Sequence, residues 1–264
     1  MTATVDAVRA LADLPEVGES VDRAREACTE LRWHNALRRR IPQAAAESRV
    51  RGARASAALD GAEVSVDVVR ELVVGLTSWP EEPDPLERAL RGAVQATAET
   101  EHARDLVLTS PAQALARLHV AVAGSSAGVD LPPDAVGRPR RDDEVCAELV
   151  ACHDKAPVAV VAALAHAEIA TMRPFVRGNA IVARGFERAL VQAAGLDPTG
   201  VCVPEVGHLR EASAGYVGAL AAYATGSADG VRLWLTFCVG SYERGAREGM
   251  RIADAVLAGR LGGL

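Results

Sequence analysis

An all-α fold is expected from three observations. Apolar residues fill 49% of the 264 positions while aromatics fill only 3%. Ala, Val and Leu therefore carry the core, which suits closely packed helices better than a sheet rich in aromatic and β-branched side chains. Apolar positions recur at helical spacing rather than alternating. Residues that start and stop helices, such as Ser-Pro, Asp-Gly and isolated Pro or Gly, punctuate these runs. The length and apolar share allow a substantial core without disulfide or metal staples.

Residues 1–18, interrupted by Pro15 and Gly18, read as irregular. Ser20 then opens a helix in which Val21, Ala24, Ala27, Cys28 and Leu31 share a face. It is expected to run to about residue 40 and to stop at Pro42. A second helix, 43–59, ends at Asp60-Gly61, where Gly suits a C-cap. A third spans 65–76 with Ser65 as N-cap. The run Trp79-Pro80-Glu81-Glu82-Pro83-Asp84-Pro85 reads as a linker. It divides an N-terminal helical segment, 1–84, from a main domain, 85–264. Helices follow at 85–107 and at 111–123, the latter opened by Ser110-Pro111 as cap and first-turn proline. Residues 124–142 form a loop, whose basic knot Arg138-Pro139-Arg140-Arg141 is expected to be solvated. Helices resume at 143–153 and 157–172. The second is nearly all apolar and is the expected central buried helix. Pro174 blocks its continuation. A loop at 174–179 leads into a helix to residue 194, closed by Gly195. The last two helices are expected at 205–223 and 230–258.

A net charge of −6 argues against nucleic acid as a partner. Cys28, Cys146, Cys152, Cys202 and Cys238 form no C-x-x-C pair, which suggests buried, reduced thiols in a cytoplasmic protein. Cys152-His153 lacks a second pair at metal-site spacing, so no metal ligand is assigned. The N-terminus carries Asp6 and Arg9 and no long apolar run, unlike a secretory signal. The apolar stretch 156–165 is too short for a membrane span, so no membrane partner is expected.

The segment Met172–Arg184, MRPFVRGNAIVAR, carries the chemistry. It places Gly178-Asn179 at the start of a helix, where unpaired N–H groups and the macrodipole favour an anion. Gly lets the backbone approach a phosphate closely. Arg173, Arg177 and Arg184 surround this nest, and guanidiniums chelate phosphate or carboxylate oxygens. As isolated residues, Arg173 and Arg177 could equally face solvent and Arg184 could form a structural ion pair. His166 lies two helical turns before Arg173, about 10 Å along the axis, and reads as a packing histidine rather than a base. Glu168 faces elsewhere on that helix. Glu205 and His208, one turn apart, read as surface residues.

The same segment resembles the Fic (Fido) family motif, H-P-F-x-[D/E]-G-N-G-R-x-x-R. Pro174, Phe175, Gly178, Asn179 and Arg184 match it. Arg173 stands at the position of the motif His, Arg177 at that of the carboxylate, Ala180 at the third Gly and Ile181 at the first of the two arginines. The preceding stretch VVAALAHAEIATMRPF is similar to the family's central helix. Ala114–Leu118-His119, Tyr216-Val217-Gly218-Ala219-Leu220 and Trp234-Leu235-Thr236-Phe237 are similar to its flanking signatures, so the likeness covers about residues 86–260. Upstream, Ser56-Ala57-Ala58-Leu59-Asp60-Gly61 resembles the family's inhibitory motif, [S/T]-x-x-x-E-[G/N], with Asp in place of Glu.

The resemblance implies a Fic-type helical core with an N-terminal inhibitory-like segment. It also implies that Asp60 lies within salt-bridge reach of Arg184. In family enzymes the motif His deprotonates a target hydroxyl that attacks a nucleotide. Arg173 stays protonated and cannot do so, a loss of about 10²–10⁴ in rate. Arg177 repels the Mg²⁺ that the family carboxylate holds, and phosphoryl transfer depends heavily on that charge. The leading expectation is a catalytically degenerate Fic protein, kept as a nucleotide or phosphate sensor or as a protein-binding regulator. Its ligand would be ATP or another phosphate-bearing molecule taken without Mg²⁺, at Arg173, Arg177, Gly178, Asn179 and Arg184, restrained by Ser56, Asp60 and Gly61. One alternative is AMP transfer to a protein hydroxyl by altered, metal-independent chemistry. Another is a structural interaction module. A protein partner is expected but not specified, and homodimers occur in the family.

Overall fold

Helices account for all the regular structure of the described residues. In this computed structural model, residues 2–124, 131–140, 144–210 and 212–261 are described, with the backbone alone at 144 and 212. Among the described residues there are twelve α-helices and no strand. None of these helices is long and apolar enough to cross a membrane. Of the loop at 124–142, residues 125–130, 141 and 142 lie outside the described residues, as does 143 at the expected start of the following helix.

The N-terminus departs from the expectation of irregular structure. Helix α1 spans Thr2–Ala12 and α2 spans Pro15–Arg32. Pro15 occupies the first turn of α2, where its missing N–H costs nothing, so it starts a helix rather than breaking one. The helix also stops earlier than expected. Trp33 caps it, and the His34 ring accepts the Ala36 N–H to open a short 3₁₀ turn, Asn35–Arg38. Helix α3 (Ile41–Leu59) has Asp60 as its C-cap and Gly61 beyond, at φ +90°. Helix α4 (Val66–Val74) is capped by Ser65 Oγ, as expected.

Helix α5 (Pro85–Val107) begins with a full capping box, in which Asp84 and Glu87 satisfy each other's backbone N–H. Helix α6 (Pro111–Ala123) folds back along α5. Helices α7 (Glu144–Val150) and α8 (Val158–Met172) follow. Ten consecutive-turn residues of α8, including Val160, Val161, Ala163 and His166, are buried, so α8 is the expected central helix. Helix α9 (Asn179–Ala193) packs beside it and against α5.

Residues 205–223 are not one helix. They form α10 (Pro204–His208) and α11 (Ala212–Tyr223). Helix α10 packs closely on α12 (Ala228–Leu257): a Cβ on Gly207 would lie 2.2 Å from the Ser241 carbonyl oxygen. Helix α12 runs along α2 on one side and meets α8 on the other, where the Trp234 Nε1–H donates to the Ala163 carbonyl at 2.8 Å. The Arg188 guanidinium of α9, itself buried, bonds Glu205 of α10 at 2.8 Å and also Ser48 of α3. Glu205 is therefore an interior partner, not the surface residue its spacing suggested.

Candidate functional site

The turn between α8 and α9 is built by backbone chemistry. Arg173 ends α8 in the left-handed region, at φ 51° and ψ 63°, and no other non-glycine described residue has positive φ. Pro174 follows. Phe175 is buried beneath the turn, stacked on His119 of α6 with ring centroids 4.0 Å apart. Asn179 closes the loop: its Oδ1 accepts the Phe175 N–H and its Nδ2 donates to the Phe175 carbonyl, both at 2.9 Å. Gly178 caps α9 at φ 73°, and a Cβ there would also lie 2.5 Å from Val122 Cγ1. Only Gly meets both demands.

A second strand of chain supports the loop from outside. The Arg140 N–H donates to the Pro174 carbonyl at 2.7 Å and its guanidinium donates to the Phe175 carbonyl at 3.0 Å. The basic knot was expected to be solvated, and Arg138, Pro139 and Arg140 are exposed; Arg140 in addition straps the motif loop, while Arg141 lies outside the described residues. His119 Nδ1 accepts the Gly137 N–H at 2.9 Å, so this ring is neutral. Burial agrees, pushing it down to about 4.

Over this turn lies a cleft of about 380 Å³. Arg173, Arg177, Gly178 and Asn179 line one side, Arg88 and Asp60 another, and Ile181 its floor. Arg173 and Arg177 are exposed. Arg184 does not share that surface. It is buried one turn deeper, where Nε donates to Ser56 Oγ at 2.8 Å and Nη2 donates to the Ser56 carbonyl and to Asp60 Oδ2, the latter at 2.6 Å. Nη1 reaches Tyr216 Oη at 3.4 Å. Burial alone would lower the Arg184 pKa, but the Asp60 carboxylate outweighs it and holds the guanidinium charged. The pair Asp60–Arg184 is thus formed as expected, and it occupies the arginine that was expected to face an anion.

Beneath the cleft, Tyr216 Oη also meets His166 Nε2 at 2.8 Å. His166 Nδ1 bonds Glu187 Oε2 at 2.6 Å, and His208 Nε2 bonds the same oxygen at 2.9 Å. Cys238 Sγ lies 3.5 Å from Glu187 Oε1. Burial lowers His166 to about 4 against the pull of Glu187. Burial pushes the Glu187 carboxyl up, but the two imidazoles outweigh it and hold it below the usual carboxylate range. His166 is the expected core histidine. His208 is a correction, since it is fully buried rather than on the surface. Glu168 accepts from the Tyr223 hydroxyl, away from the cleft.

No family model matches the sequence, and no curated protein matches it. Solved structures do. A Fic family protein from Desulfovibrio desulfuricans G20 superposes with a TM-score of 0.71 at 17% identity, over 91% of this chain and 75% of that one. Fic-1 from C. elegans, residues 134–508, superposes with a TM-score of 0.64 at 17% identity, over 89% and 72%. The fold is the Fic fold. A variant of the same Fic-1 fragment gives a TM-score of 0.64 at 16% identity, over 91% and 73%. These identities carry the architecture alone, and the site is read from the residues present.

Sequence reasoning found the loop, Gly178, Asn179 and the Asp60–Arg184 contact, but not the bonds of Ser56 to Arg184. It missed Arg88, which helix periodicity alone does not mark as cleft-facing. It also missed the joining of His166, Glu187, His208 and Cys238, which stand 21 to 51 residues from Glu187 with no spacing signature.

Proposed function

We propose that this Fic-fold protein binds a phosphate-bearing ligand, a nucleotide or phosphate itself, in the cleft over the α8–α9 turn, and acts as a regulator without transfer chemistry. The observation that carries the reading is the placement of guanidiniums where the resembled motif has its base and its metal ligand: Arg173 and Arg177 line the cleft beside the N-terminus of α9. The first-turn N–H groups of that helix and its macrodipole favour the same charge. The cleft volume falls within the roughly 300–1,000 Å³ of small-molecule sites. A cationic lining replaces what Mg²⁺ does elsewhere, so binding is independent of Mg²⁺. Arginine does not deprotonate at any working pH, so no group at position 173 abstracts a proton. Asp60, on the cleft wall, holds Arg184 away from the ligand.

Thermal unfolding with ATP, ADP, AMP and inorganic phosphate, each with and without Mg²⁺, tests this. A ligand at 100 times its Kd raises Tm by about 5–10 °C for a chain of this size. The shift should persist with EDTA and vanish in an Arg173→Ala, Arg177→Ala double variant. No shift with any of the four ligands would leave a structural interaction module as the better reading. Label from α-labelled ATP that becomes linked to protein and disappears in Arg184→Ala would show AMP transfer instead.

A further inference from the structure

Four side chains from four helices converge at the centre of the molecule. His166 of α8, Glu187 of α9, His208 of α10 and Cys238 of α12 each offer one donor atom, and the four atoms lie within 4.8 Å of one another. All four residues are fully buried. We propose that they form a closed, four-ligand structural site for a divalent metal ion of the zinc class.

The donor set selects the ion. Two imidazole nitrogens, one carboxylate oxygen and one thiolate combine borderline, hard and soft donors, a set that suits Zn²⁺ in tetrahedral geometry and not the all-oxygen shells of Mg²⁺ or Ca²⁺. Four protein ligands with no solvent-reached position describe a structural site rather than a catalytic one. Charge balances as well: one carboxylate, one thiolate and two neutral imidazoles cancel a dication within an apolar core. Binding releases the Cys238 thiol proton to solvent, and the histidine protons move to the ring nitrogens that do not face the ion.

Distances fit with a small adjustment. Tetrahedral ligands around zinc stand about 3.3–3.7 Å apart, given metal–ligand bonds of about 2.0–2.3 Å. Cys238 Sγ stands 3.5 Å from Glu187 Oε1, whereas both histidines bond Oε2, so the carboxylate must turn to present one oxygen beside all three. The His166–Glu187 and His208–Glu187 separations, 2.6 and 2.9 Å, are those of proton-bridged pairs. The first must widen by roughly 0.7 Å and the second by roughly 0.4 Å when the ion replaces the protons. His166 has the outer partner that metal-bound histidines need: Tyr216 Oη at 2.8 Å on Nε2, which leaves Nδ1 to the ion. His208 faces the ion through Nε2, and its other nitrogen, Nδ1, is buried with no protein partner, so His208 lacks the outer contact that His166 has. The ion would tie the short helix α10 to α8, α9 and α12 at one point.

The test is metal analysis of the full-length chain, expressed without a histidine tag. About one equivalent of zinc per chain is expected. After unfolding in denaturant with EDTA, refolding with zinc should restore a Tm that refolding without metal does not reach. Cobalt in place of zinc should give the visible absorption of a tetrahedral site and a near-ultraviolet thiolate-to-cobalt band. Cys238→Ser should abolish that band, and His208→Gln should weaken metal retention at least tenfold. If a variant fails to fold, the wild-type cobalt spectrum and the two refolding arms still decide. A metal-free chain that reaches the same Tm with and without zinc, and shows no thiolate band with cobalt, overturns the proposal. So does a bound metal whose spectrum is unchanged by Cys238→Ser.

Discussion

Arg173 pays for its position in backbone strain. A non-glycine residue in the left-handed region costs about 1–2 kcal/mol, and its φ of 51° places it there. Arg173→Gly should therefore raise stability by about 1 kcal/mol in urea unfolding while it reduces the phosphate-induced Tm shift. A variant that is less stable than wild type would show that the guanidinium contributes packing the strain argument omits. Asp60 presents the opposite balance. Asp60→Ala leaves the buried Arg184 with only Ser56 and Tyr216 as partners, and should cost about 2 kcal/mol, moderated because the Asp60 side chain is 30% exposed. An unchanged urea midpoint would mean that water replaces the carboxylate fully. His119 adds a pH dependence. Its folded pKa, about 4, lies below the ordinary value of 6.5, so the unfolded chain takes up a proton first as pH falls. Its contribution is whole above pH 6.5 and is lost between 6.5 and 4, at up to about 1.4 kcal/mol per pH unit. His119→Gln should reduce the slope of that part of the stability profile, leaving the share of His166, which burial lowers over the same window, and equal slopes in both proteins would contradict the assignment.

At the scale of elements, the α8–α9 turn depends on one glycine and one amide. Gly178→Ala meets both a positive φ and the Val122 side chain, and should cost about 1–3 kcal/mol and blunt the ligand response together. Retained ligand response in that variant would argue that the anion sits away from the α9 N-terminus. The sequence displays this turn clearly, because its determinants are local: a helix that Pro174 ends, a Gly that permits the turn, an Asn four residues after the Phe it clasps. Helices α5, α6, α8 and α9 are equally readable, since caps and apolar period lie within each segment. Where contacts between distant segments decide, the sequence falls silent. Nothing near Gly207 announces that the Ser241 backbone will press against it. Nothing near Arg184 shows that Ser56 will consume its Nε–H, although the Fic resemblance supplied Asp60.

At the scale of the whole molecule, the N-terminal helices and the remainder of the chain share one interior. Val17, Val21, Ala24, Cys28 and Leu31 of α2 are buried in the same hydrophobic core as Val239, Ala246 and Ile252 of α12. Helix α3 supplies Ser48 to Arg188 and Ser56 to Arg184, two guanidiniums that no solvent reaches. Deleting residues 1–84 at the proline-rich stretch would therefore expose the α12 face, take Asp60 and Ser56 from Arg184, and take Ser48 from Arg188, which keeps Glu205. Arg184 left without both Asp60 and Ser56 costs about 3–5 kcal/mol, and the exposed α12 face adds to this, against the 5–15 kcal/mol that holds a typical domain folded. The fragment 85–264 should accordingly lack a cooperative thermal transition, bind a hydrophobic dye and lose near-ultraviolet dichroism while keeping helical content. Supplying residues 1–84 as a separate chain should restore the transition, because the missing faces and the missing partners return together. A fragment that melts cooperatively on its own would show instead that α8, α9 and α12 hold Arg184 and Arg188 without help from α3.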